Sequence, residues 1–453
     1  MDTPPHPSGR PRRPRVVVVG AGFGGIRVAL ALDDADCDVI LVDRTNHHLF
    51  QPLLYQIATA ALSPADIATP IRTVFRHQKN VQVILGEVTE VQPGRKRILM
   101  GNDAVAYDWL VLAAGATHAY FGNDQWEEHA PGLKTIDDAL EIRRRVLMAF
   151  EEAELEADPE ARRAKLTFVV VGAGPTGVEM AGALREIAAQ TIPADFRRVD
   201  TTTARIILME GADRVLPAMS PESSEEAWAA LRRMGVEVRL NTFVTGIEEH
   251  LVKVGEGDDE EYVDAGNVIW AAGVEGSPVA RSLEAELDSA GRVKVGPDCA
   301  VPGHPEIFVI GDLAAATSAD SEEAVPGVAQ GAMQMGEFVG GVIARELTTG
   351  IEPELRPEFS YRDKGSLATI GRARAVADIW GTSFHGFFAW LLWSLVHVLF
   401  LIGFRNKILV MVHWAWQWLV QARGARLITG RKLPRVKRPV DLGRLEDEGD
   451  ALA

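Results

Sequence analysis

A strand–glycine-turn–helix unit opening at Val16, the same grammar returning at Phe168, and a late concentration of aromatic residues predict an α/β protein. The expected architecture is two Rossmann-like dinucleotide-binding domains followed by a C-terminal membrane-anchoring region of amphipathic helices. At 453 residues the chain is too long for one ordinary domain.

Residues 1–15 are rich in Pro and Arg, lack an apolar h-region, and read as a disordered leader, not a secretory signal. Order begins with Val16-Val17-Val18-Val19, an apolar run of strand character leading into Gly20-Ala21-Gly22-Phe23-Gly24-Gly25. A small Ala-rich helix (Val28 to Leu32) and a strand, Val39 to Val42 ending at Asp43, complete a βαβ unit. The second unit comprises the strand Phe168 to Val171, the turn Gly172-Ala173-Gly174-Pro175-Thr176-Gly177, a helix from Val178 to Ala189, and a strand ending at Glu210. Trp109 to Gly115 and Val268 to Gly273 are strand-like and end in glycine turns, where one domain hands the chain to the next. Ile307 to Ile310 is another apolar strand, carrying Gly311-Asp312 at its carboxyl end, where ligands gather in open α/β sheets.

The turns have a physical logic. Gly20 permits the tight bend, Gly22 lets a pyrophosphate approach the backbone, and Gly25 allows close helix–strand packing. The diphosphate then sits at a helix N-terminus, whose free N–H groups and dipole favour anions. Asp43 lies 18 residues past Gly25, near the spacing expected of a carboxylate on a ribose hydroxyl. Gly172, Gly174 and Gly177 repeat the pattern, but Glu210 lies 33 residues past Gly177, with a loop around Thr191 to Thr203 inserted before its strand. An acid there favours NADH over NADPH by repelling a 2′-phosphate, although the nearby Arg205 and Arg214 can soften that preference.

The net charge of −16 argues against general nucleic-acid binding. Cys37 and Cys299 form no motif, so a disulfide redox centre or thiolate metal site is not expected, and a reducing compartment is. No metal ligand set is expected.

Two dinucleotide turns with a late Gly-Asp resemble the two-dinucleotide-binding-domain flavoprotein superfamily. That resemblance implies FAD at the first turn, NAD(P)H at the second, and Asp312 on the flavin ribityl chain. His47-His48-Leu49-Phe50-Gln51-Pro52-Leu53-Leu54-Tyr55-Gln56, then GAGPTGVE from Gly172 to Glu179, then Val328-Ala329-Gln330-Gly331-Ala332-Met333-Gln334 narrow it. Together they resemble type II NADH dehydrogenase (NADH:quinone oxidoreductase), especially its actinobacterial and mycobacterial members. The resemblance implies quinone-site roles for Gln330 and Gln334, whose amides suit a quinone carbonyl. It implies a carboxylate near the nicotinamide or in proton delivery at Glu179, which is otherwise a first-turn acid favoured by the helix dipole. Lys364 resembles a family lysine near flavin and quinone; the plain alternative is a surface lysine. Further dinucleotide contacts are expected from Phe23, Gly24, Arg44, Pro52, Leu53, Ala114, Gly115, Pro175, Thr176, Ala272, Gly273, Gly311, Ala329 and Gln330.

Six of the ten tryptophans lie at or beyond Trp380, and Ile379 to Phe404 carries no Lys, Arg, Asp or Glu. Gly381 to Phe404 is long enough to span a bilayer, but His385, Ser394 and His397 interrupt it. Arg405 to Val440 holds nine Lys or Arg and no acid, and sets Trp414, Trp416 and Trp418 near cations, as suits a lipid headgroup interface. The family is monotopic, and that reading is preferred to a single span.

The expected division is FAD domain 16–125 and 292–350, NADH domain 126–291, and anchor 351–453. The expected reaction passes hydride from NADH to FAD and two electrons to a membrane quinone, menaquinone ahead of ubiquinone, without proton pumping. The expected setting is the cytoplasmic face of the inner membrane, as a homodimer contacting lipid. The alternatives are a soluble NADH:acceptor reductase and an NADH-sensing flavoprotein.

Overall fold

The computed structural model describes residues 12–420 and 424–429. The expected leader up to residue 11 and most of the basic run beyond residue 420 lie outside the described residues. Within the leader's expected range, Arg12 is held by Asp108 in two hydrogen bonds of 2.8 and 2.7 Å, and Arg15 already opens the first strand. Six helices frame the site: α1 (Phe23–Ala31), α2 (Leu54–Ala58), α3 (Pro175–Glu186), α4 (Ala329–Thr349), α5 (Gly386–Phe400) and α6 (Phe404–Val420).

The first sheet has the order Ala300–Val301, His304–Val309, Trp109–Leu112, Arg15–Val19, Asp38–Asp43, Val81–Leu85. All pairs are parallel except the first. Strands covered on both faces can be apolar throughout, and Val16, Val17 and Val18 are fully buried. One face carries α1, against which α4 returns from far along the chain. A Cβ on Gly336 would lie 2.3 Å from the Gly24 carbonyl oxygen, and one on Gly340 2.6 Å from Ala31 Cβ. Glycine therefore sets how closely these helices approach.

The second sheet has the order Val236–Arg239, Arg205–Met209, Thr167–Val171, Asn267–Trp270, all parallel. Both turn helices begin earlier than the apolar pattern predicts. Helix α1 starts at Phe23, not Val28, and α3 at Pro175, not Val178, because the glycines themselves cap the helices and Pro175 suits a first turn. Helix α3 ends at Glu186 and gives way to one π-helical turn, Ile187–Thr191, where an unbroken helix to Ala189 was expected.

The C-terminal region starts with an antiparallel sheet, Ser366–Gly371, Arg374–Ile379 and Thr382–His385. The apolar stretch from Gly381 to Phe404 is not one helix: it enters as a strand, forms α5, and breaks at Leu401–Gly403 before α6. Among the described residues, no helix is long and apolar enough to cross a membrane. Both helices are two-faced. Helix α5 exposes Phe388, Leu391, Leu395 and Leu399 and buries Ala389 and Trp393; α6 exposes Phe404, Met411, Val412 and Trp416 and buries Asn406 and Val410.

Candidate active site

The two glycine turns are built alike. Gly20 and Gly172 take left-handed φ of 100° and 96°. A Cβ would stand 2.3 Å from the Ala113 oxygen at Gly20 and 2.6 Å from the Ala271 oxygen at Gly172. Gly25 and Gly177 each back onto the first glycine's carbonyl, where a Cβ would fall at 1.8 Å. Gly22 and Gly174 differ from these: a Cβ on either meets nothing within 4 Å, leaving open space over each helix N-terminus. Each turn is tied to its acid. Asp43 accepts from the Ala21 N–H at 2.6 Å and the Thr45 N–H at 2.7 Å. Glu210 accepts from the Ala173 N–H at 2.5 Å and the Ala212 N–H at 2.9 Å. A carboxylate oxygen has a second lone pair, so either acid can also take a hydroxyl.

The residues around the first turn fit FAD. His48, from the His47–Gln56 motif, is buried beside the turn with Nδ1 3.0 Å from the Ala21 oxygen, while its buried Nε2 has no partner. Burial lowers the His48 pKa and keeps the ring neutral. Phe23 packs edge-on to His48 and Phe50. Gly115 and Gly311 bend with left-handed φ at neighbouring strand ends, and Arg44 is exposed just past Asp43. Pro52 and Leu53 lie in a short 3-10 turn, with Leu53 buried in the core. Asp312 faces Lys134 Nζ at 3.8 Å. Lys134 carries no motif and escapes sequence reading.

At the second turn, Pro175 and Thr176 are exposed on the first turn of α3, and Gly273 lies under the Phe121 ring. The arginines expected to offset Glu210 are engaged elsewhere. Arg205 opens its strand at the far end and pairs with Glu237, and Arg214 donates to the Pro217 carbonyl at 2.8 Å.

Ala329, Gln330 and Gln334 start α4. Their amides are already engaged with the segment bearing Lys364. Gln330 donates to the Gly365 carbonyl at 3.1 Å and accepts from the Lys364 N–H at 3.1 Å; Gln334 donates to and accepts from the Arg362 backbone at 3.0 Å each. Lys364 itself is exposed, with Nζ 6.0 Å from the Phe400 ring centre.

Glu179, past the first turn of α3, lines a pocket whose walls do not include these glutamines. Helix α3 packs its Gly182 against the Ile370 carbonyl, where a Cβ would fall at 1.7 Å, and this brings the strand Ser366–Gly371 over Glu179. A pocket of about 120 Å³ lies there, lined by Glu179, Gln56, Thr369, Trp390, Trp393 and Trp414 among others. Burial pushes the Glu179 carboxyl up to about 8; the Thr369 N–H, 3.4 Å away, and the Trp393 side chain offset this only in part. The acid is thus mostly protonated at neutral pH. Across it, Trp393 is 2% exposed and its indole N–H is directed at the Glu179 carboxyl, outside regular hydrogen-bond geometry. His397 stacks on Trp393 with ring centres 4.2 Å apart, donates to the Trp393 carbonyl, and is lowered to about 4 by burial.

The anchor helices close the pocket by polar contacts. Trp414 Nε1 donates to Gln56 Oε1 at 2.8 Å, and Asn406 donates to the Ala68 carbonyl at 3.2 Å. His413 lies 3.4 Å from the buried Asp66. Trp393 and Thr369 were not singled out from sequence, and Trp414, expected beside lipid headgroups, turns inward to Gln56 instead; the usable signal was the recurrence of tryptophans on two-faced helices.

The family described as pyridine nucleotide-disulphide oxidoreductase matches residues 14–336, and that described as NDH2 C-terminal domain matches residues 364–422. The chain is 46% identical over 452 residues to the type II NADH:quinone oxidoreductase Ndh of Mycobacterium tuberculosis, covering 98% of this chain and 96% of that one. It is 30% identical over 382 residues to the type II NADH:quinone oxidoreductase of Staphylococcus haemolyticus, covering 83% of this chain and 92% of that one. NDH2 from Plasmodium falciparum, solved in complex with NADH, has the same fold, with a TM-score of 0.84 at 21% identity over 92% of this chain and 100% of that one. The chain belongs to the type II NADH:quinone oxidoreductase family.

Proposed function

We propose that this protein oxidises NADH at the second glycine turn and reduces menaquinone, ahead of ubiquinone, under its C-terminal helices, moving no charge across the membrane. The observation that carries the reading is the pairing, in one chain, of two dinucleotide turns built alike with a pocket holding a buried acid. FAD supplies the hydride acceptor and the electron carrier between the two substrates. Gly20, Gly22 and Gly25 would hold its diphosphate, Asp43 its ribose, and Asp312 its ribityl chain. Gly172, Gly174 and Gly177 would hold the NADH diphosphate, with Glu210 on the ribose and against a 2′-phosphate.

Glu179, kept neutral by burial, donates a proton toward a quinone oxygen. The buried Trp393 N–H, directed at the Glu179 carboxyl, is a second donor beside it. Gln330 and Gln334 act by positioning, since they fix the backbone from Arg362 to Gly365 and with it Lys364. FAD is assigned to 16–125 and 292–350, NADH to 126–291, and anchoring to 351–453. The outward Phe and Leu faces of α5 and α6, followed by basic sequence, support monotopic seating on anionic lipid. The unpaired, buried Cys37 and Cys299 support the cytoplasmic face, and a homodimer is the family's arrangement.

Anaerobic stopped-flow tests the reading. NADH should bleach the flavin quickly, NADPH slowly, and a short-chain menaquinone analogue should restore the colour. Bleaching without recovery would remove the quinone and point to a protein acceptor or a sensor.

A further inference from the structure

Phe243 is 68% exposed, in the loop between the strands Val236–Arg239 and Val244–Glu248. A single exposed phenylalanine needs no explanation, but the backbone that carries this one is held in place. It follows the strand Val236–Arg239, which runs parallel to Arg205–Met209, so its loop emerges at the carboxyl edge of the sheet beside Glu210. Three backbone hydrogen bonds fix that loop. The Thr242 N–H donates to the Glu210 carbonyl at 2.8 Å, the Asn241 N–H to the Ala212 carbonyl at 2.9 Å, and the Gly255 N–H to the Phe243 carbonyl at 3.1 Å. Asn241 accepts a left-handed φ of 51° to make the bend. The ring rests on Gly211, the residue after the acid, where a Cβ would stand 2.7 Å from Phe243 Cε1. Only a glycine there lets the ring lie so close to the backbone.

We propose that Phe243 is the adenine platform of the NADH site, stacking the base while Glu210 takes the adjoining ribose. The proposal rests on the second turn being the NADH site. An aromatic face offers a base its π-surface without demanding any hydrogen bond, and a platform fixed before binding loses little ordering entropy. The ligand class recognised is an adenosine diphosphate bearing a ribose, whatever the redox state of the nicotinamide.

The test uses the full-length holoenzyme in detergent, with ADP-ribose titrated calorimetrically and NADH compared with reduced nicotinamide mononucleotide, which lacks the adenosine. Phe243→Ala should weaken ADP-ribose about tenfold and raise KM for NADH similarly, at unchanged kcat. Phe243→Tyr should retain both values, and the mononucleotide's kinetics should be the same in all three proteins. Gly211→Ala, which displaces the ring without deleting it, should weaken ADP-ribose as well. Unchanged ADP-ribose affinity in Phe243→Ala, or an equal loss with the mononucleotide, overturns the proposal. ADP-ribose binding involves no hydride transfer. A Phe243-dependent affinity in a protein that fails to oxidise NADH would therefore sink the enzymatic reading and leave the platform standing.

Discussion

Glu179 is the residue on which pH should act most visibly. Its carboxyl sits near 8 in the folded chain and near 4.5 unfolded. The folded state therefore holds a proton that the unfolded state releases, and this contribution, full below about 4.5, is lost as pH rises through about 8. The quinone half-reaction should slow over the upper part of the same window, as the donor ionises, while flavin bleaching by NADH stays flat. Glu179→Gln should flatten that profile and slow reoxidation about 100-fold. The same variant should melt above wild type at pH 9, by at most about 4–5 kcal/mol, and not at pH 4; thermal unfolding across pH checks the sign. Equal melting at both pH values would mean that the carboxyl is not shifted. Among the site residues, the turn glycines were legible in sequence because their demand is local. The geometry at Gln330 was not legible, because what occupies its amide is a backbone segment more than thirty positions away.

The contact of α1 with α4 and the docking of α6 make separate demands on the sequence. Gly336→Val would place side-chain carbon against the Gly24 carbonyl, push α4 off α1, and distort the first turn from behind. Overpacking of this kind costs about 1–3 kcal/mol, and the protein should purify with substoichiometric flavin, read from its visible absorbance. Trp414→Phe removes the donor to Gln56 and leaves a buried oxygen unsatisfied, at about 1–3 kcal/mol. The variant should be cut faster by protease near the break between α5 and α6, and should lose quinone reduction more than NADH oxidation. Both helices were legible as apolar and aromatic. Their break at Leu401–Gly403 was not, because a run without charge reads alike whether it is one long helix or two short ones.

For the molecule as a whole, the proposed reaction only hands electrons from one bound substrate to the other, so NADH oxidation confined to the quinone step in sealed vesicles should build no membrane potential; a dye response during that step would refute it. Both strand–turn–helix openings could be read from the chain, whereas the sheet orders could not, since neighbours such as Trp109–Leu112 and His304–Val309 pair across almost two hundred residues. That same pairing dictates how the protein is made. The strands of the second sheet all lie between residues 167 and 270. The first sheet lacks its His304–Val309 strand, and α1 lacks its cover, until residues near 340 have left the ribosome. Synthesis therefore releases a finished inner domain inside an unfinished outer one, whose bare Trp109–Leu112 edge and uncovered helix are the surfaces a chaperone would meet.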